Sequence, residues 1–114
     1  MSVLDEDVVD AIGVETSSGK VVLTVADHLD WADEKGHLLA LEKKLNAYLA
    51  FVESGELNES YPDSLGREPV IDIVGQFPIP KAGRSFLERV RPIAASAGIE
   101  VRNHLLEEQP QSTE

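Results

Sequence analysis

Leu38, Leu41, Leu45, Leu49 and Val52 recur at steps of three and four, the spacing that places side chains on one face of a 3.6-residue helix. Tyr48 widens that stripe, while Lys43, Lys44, Asn46 and Ala50 mark the expected outer side. Asp30 is the expected N-cap, with Asp33 in the first turn, because a carboxylate there accepts from free backbone amides and suits the helix dipole. Gly55, after Ser54, supplies a left-handed stop.

Ahead of this helix the period is two. V-V-D-A-I-G-V-E at 8–15 and K-V-V-L-T-V-A at 20–26 read as strands joined by the turn residues T-S-S-G. In the second strand Val21, Leu23 and Val25 share one face and Val22, Thr24 and Ala26 the other, so an inner strand is expected. Residues 56–68 form a polar connection anchored by Leu57, Tyr61 and Leu65. P-V-I-D-I-V-G-Q-F at 69–77 is a central third strand. Pro80 opens a second helix in which Phe86, Val90, Ile93 and Ala97 repeat, with a kink expected at Pro92. After Gly98, residues 99–105 alternate as an edge strand.

The order is therefore ββαβαβ. Strand–helix–strand crossovers are right-handed, so two running in the same direction put both helices on one side. The expected fold is α+β: a two-layer sandwich of a four-stranded mixed sheet with two helices on one face. It forms one domain over residues 8–106, with flexible acidic tails at 1–7 and 107–114.

Composition narrows the function classes. The 114 residues include no cysteine, which removes disulfides, thiolate metal sites and cysteine nucleophiles. The start, M-S-V-L-D-E-D, lacks the basic and apolar runs of a signal peptide, and no membrane-length apolar run follows. A cytoplasmic location is expected. The net charge of −11 disfavours phosphate backbones and hence nucleic acid. Residues 1–34 hold nine carboxylates against Lys20 alone, whereas residues 79–106 hold five basic side chains against two acidic ones. Oppositely charged ends suit contacts within the fold or between subunits.

The run D-H-L-D-W, then H-L-L-A-L-E-K-K-L-N-A-Y-L-A-F-V-E-S-G, together with V-V-D-A-I-G and V-I-D-I-V, resembles a family of small bacterial proteins known as a domain of unknown function. The resemblance spans most of residues 8–105. It implies a bacterial origin and a stand-alone domain, and brings no activity, cofactor or catalytic residue.

Asp27, His28, Asp30, Asp33 and His37 form the densest group of chemically active side chains. Asp33 and His37, four apart on a helix, share a face and could ligate a metal with the others. No established metal motif matches, and carboxylates at a helix start serve equally as caps. Trp31 reads as a core plug fixing the helix entry, its indole N–H on a backbone carbonyl, or as an interface anchor. Lys81, Gly83 and Arg84 open the second helix, where anions are favoured, without any phosphate-loop glycine pattern. Ser17, Ser18, Ser85 and Ser96 lack a nucleophile motif, and His104 has no partner in sequence.

No motif calls for a cofactor. The expected function is that of a non-catalytic interaction protein, an acidic immunity- or antitoxin-like binder of a basic protein being one version. The alternative is a metal-dependent hydrolase built on the Asp27–His37 cluster. A homodimer is expected through the sheet face left bare by the helices, with Val22, Thr24, Val70, Asp72 and Val74 as interface residues beside Trp31.

Overall fold

A computed structural model describes residues 9–106; the tails expected at 1–7 and 107–114 lie outside the described residues. Four strands form one sheet in the order β1-β2-β3-β4: β1 (Ala11–Val14), β2 (Val21–Asp27), β3 (Pro69–Gly75) and β4 (Glu100–Leu105). β1 pairs antiparallel with β2 through the expected hairpin, while β2–β3 and β3–β4 are parallel. The long helix α1 (Glu34–Glu53) bridges β2 to β3, and α3 (Lys81–Ser96) bridges β3 to β4. The fold is the expected mixed-sheet α+β sandwich.

Alternation in the strands sets the core. Val21, Leu23 and Val25 of β2, Ile71 and Ile73 of β3, and Val101 of β4 are buried together with Leu41, Leu45 and Tyr48 of α1 and Phe86, Leu87 and Ala94 of α3. Removing this much apolar surface from water is the main favourable term in folding.

Four expectations are corrected. The α1 N-cap is Asp33, whose carboxylate accepts from Gly36 N at 3.1 Å, not Asp30. The connection 56–68 is partly helical, with α2 (Glu56–Ser60) and a 3-10 turn at Pro62–Ser64. Leu57 anchors it as expected, but Leu65 is exposed and Ser64 is buried in its place, donating to Asn58 Oδ1 at 2.7 Å. In α3 the buried stripe is Gly83, Phe86, Leu87 and Ala94, so Ile93 and Ala97 turn outward. The helix runs through Pro92, whose ring faces solvent.

Lys44 is the fourth correction. Expected on the outer side of α1, it is 0% exposed. Its Nζ lies 3.1 Å from Asp10 Oδ1 and 5.4 Å from the Tyr48 ring centre. Asp10 Oδ2 in turn accepts from Ala26 N at 2.8 Å. The Tyr48 hydroxyl donates to Thr24 O at 2.6 Å and accepts from Asp10 N at 2.8 Å. This buried polar group ties the short edge strand to α1, and each bond satisfies a group that would be costly to bury alone.

Candidate functional site

Three places could carry function: the carboxyl end of the parallel strands, the open face of the sheet, and the outer side of the helix layer.

At the strand ends, Asp27 follows Val21, Leu23 and Val25 on the helix-facing side of β2, and is buried for that reason. His37, in the first turn of α1, points back at it. Its Nε2 lies 2.6 Å from Asp27 Oδ2 and its Nδ1 2.8 Å from the Asp30 carbonyl oxygen. A carbonyl can only accept, so Nδ1 carries hydrogen. Nε2 then faces Asp27 Oδ2 across a single short hydrogen bond. Asp27 Oδ1 accepts from Leu29 N at 3.2 Å.

Trp31 stacks on His37, with ring centroids 3.6 Å apart and planes 18° from parallel. It is half-buried rather than a fully enclosed plug. Gly83 makes this approach possible. A Cβ at that position would collide with Ile79 and lie 3.1 Å from Trp31 Cη2. At Gly36 an added Cβ would meet the Asp33 carboxylate that caps α1, so the cap would have to shift.

The expected metal cluster is thus divided. Asp27 and His37 meet each other, Asp33 caps the helix, Asp30 Oδ1 accepts from Ala32 N at 3.1 Å, and His28 is exposed. Among the described residues no group of three or more His, Asp or Glu side chains could hold a metal ion. Of the expected anion group, Lys81 is exposed, Gly83 serves packing, and Arg84 Nη1 donates to Ile79 O at 3.1 Å.

A pocket of about 300 Å³ opens beside Asp27, between the ends of β2, β3 and β4 and the start of α3. Its walls are largely apolar, with Trp31, Phe77, Arg84 and Asn103 among the side chains that line it. Ligands of open α/β sheets bind outside the carboxyl ends of the strands.

The open face is not bare. Register places Val22 beside Val70 and Val70 beside Glu100, with Thr24, Asp72 and Arg102 in the next row. Arg102 Nη2 reaches Glu15 Oε2 at 2.9 Å, from the fourth strand to the end of the first. Lys20 Nζ crosses to Glu100 Oε1 at 2.9 Å. Val70 is 0% exposed although it faces away from the helices; Val22, Thr24, Asp72 and Val74 are half-buried. Asp72 Oδ1 lies 3.1 Å from His104 Nδ1. The Ser18 hydroxyl, bonded to the Glu15 carboxylate, and then Arg102 hold that carboxyl below its ordinary pKa. Glu100 raises that of Lys20.

Two of the large exposed apolar side chains, Leu39 and Ile93, lie together on the helix layer. A groove of about 420 Å³ runs between α1 and α3, lined by Leu38, Leu39, Phe86, Val90 and Ile93 with Lys35, Glu42 and Arg89 beside them. Leu39 is 51% and Ile93 64% exposed. The repeat that predicted α3 included Ile93. The burial of Gly83 beneath Trp31 is not encoded in that repeat.

The chain belongs to a family of unknown function, DUF6572, which matches residues 1–107. No curated protein and no solved structure matches it. Among the described residues no helix is long and apolar enough to cross a membrane.

Proposed function

We propose that this is a non-catalytic interaction protein that works as a homodimer, joined through the outer side of its helix layer. The observation that carries this reading is the exposure of Leu39 and Ile93 on the two sides of one groove. Apolar side chains of this size, gathered in one place, mark an interface. The polar side chains around them favour a second copy. In a two-fold contact Glu42 of one chain meets Lys35 or Arg89 of its twin, so the patch is complementary to itself. The open sheet face, where the strand alternation alone would put the interface, is a poorer surface because ion pairs cross it. A net charge of −11 makes a basic protein the further partner that the surface suits, as an immunity- or antitoxin-like role would require, in a bacterial cytoplasm.

The metal-hydrolase alternative is not carried forward, because Asp33 caps α1 and His37 is paired with Asp27, so the expected ligands do not converge. Sedimentation of two variants tests the proposal. Leu39→Glu combined with Ile93→Glu is expected to give monomers, while Val74→Glu on the sheet face leaves the dimer intact. Dissociation by the second variant and not the first would place the interface on the sheet and overturn the reading.

A further inference from the structure

We infer that the pocket at the strand ends is a binding site for a small planar molecule carrying N–H donors, of the aromatic amine or amidine class. It shares no lining residue with the helix groove, so it stands or falls independently of the dimer. The first argument is acceptor capacity. A carboxylate offers about four acceptor positions over its two oxygens. Asp27 uses one on His37 and one on Leu29 N, and it lines the pocket. The unused capacity borders walls that are mainly apolar, including Leu41, Ile73 and Leu87, where a carboxylate is worth most to a donor.

Shape is the second argument. At about 300 Å³ the pocket is at the small end of the range for ligand sites, enough for one ring with a short polar group. Trp31, held flat by its stack on His37, and Phe77 supply aromatic surface for that ring. The third argument is sign. A chain of net charge −11 concentrates cations and repels anions, and the aromatic rings add attraction for a delocalised cation. Arg84 lines the same pocket, and its Nη1 donates to Ile79 O, which turns one edge of the guanidinium toward the backbone at the start of α3. His37 acts as a positioning residue, orienting the Asp27 carboxylate without meeting the ligand.

Trp31 is the only tryptophan, so its fluorescence reports the pocket directly. Benzamidine titrated into the full chain is expected to change that emission saturably, while benzoate, of matched shape and opposite charge, is not. Phe77→Ala, at an exposed position, is expected to weaken benzamidine about two- to fivefold, the size of an exposed cation–ring contact. Asp27→Asn is expected to abolish saturation, with circular dichroism confirming that the variant is folded. If that variant unfolds, the benzoate and Phe77→Ala arms decide. Saturable binding of benzoate in place of benzamidine, or saturation by neither, would overturn the inference, as would benzamidine binding that Phe77→Ala leaves unchanged.

Discussion

His37 Nε2 lies 2.6 Å from Asp27 Oδ2, joining the first turn of α1 to the last residue of β2. Both side chains are buried, and Trp31 covers the ring from outside. The contact fixes where the long helix starts relative to the sheet, and it shapes one wall of the strand-end pocket. A buried pair of this kind adds little over an apolar substitute, yet losing one partner is costly because the other is left unpaired.

His37→Ala is therefore expected to cost about 3–5 kcal/mol in a urea titration. A change of only a few tenths would mean that Asp27 finds water or another partner without loss.

Tyr48 sets an alkaline limit. Burial, foremost, and the nearby Asp10 carboxylate push its pKa from 10.0 to about 12, against the lowering effect of its bond from Asp10 N. The folded-state value lies above the unfolded one, so this contribution is fully present below pH 10 and is lost as pH rises toward 12. Thermal melts across that window are expected to fall for the natural chain and to fall less for Tyr48→Phe. The variant starts lower, because Thr24 O and Asp10 N lose their hydroxyl partner. Equal slopes for both proteins would remove Tyr48 from the account.

Gly83→Ala separates packing from helix propensity. Inside a helix, alanine is favoured over glycine by about 1 kcal/mol. Here its Cβ would lie 2.8 Å from Ile79 Cδ1, closer still to Ile79 Cγ1, and 3.1 Å from Trp31 Cη2. Overpacking costs about 1–3 kcal/mol, so net destabilisation is expected. Adding Ile79→Ala is expected to recover part of it, as measured by the denaturation midpoint. A stabilised single variant would show that Ile79 yields freely.

The periodic parts of this fold are legible in the sequence. Leu41, Leu45 and Tyr48 mark the buried face of α1, and the two-sided apolar patterns of β2 and β3 place them inside the sheet. Lys44 misleads because its charge masks its position. It lies three residues after Leu41 and four before Tyr48, on the buried face by geometry alone. The cap misleads because D-W-A-D offers two carboxylates three apart. In the fold the Asp30 carboxylate accepts from Ala32 N ahead of the helix, and Asp33 bonds Gly36 N as the cap. The five-residue α2 is too short to announce itself, being held by the burial of Leu57 and not by propensity. Of the run 27–37, only Asp27 and His37 meet, while Asp30 and Asp33 serve local backbone amides. Sequence hides that division, because pairing across β2 and α1 has no period to read.

The same holds for the sheet face. Alternation shows that valines remain on the side away from the helices. It does not show that Arg102 and Glu15 meet above them across the whole sheet. For that reason the proposed contact between copies is the helix layer and not the sheet.

Light scattering on the natural chain, across a tenfold dilution in moderate salt, tests the central claim most directly. The account predicts twice the 12.4 kDa chain mass throughout. A mass of 12.4 kDa at every concentration would contradict it.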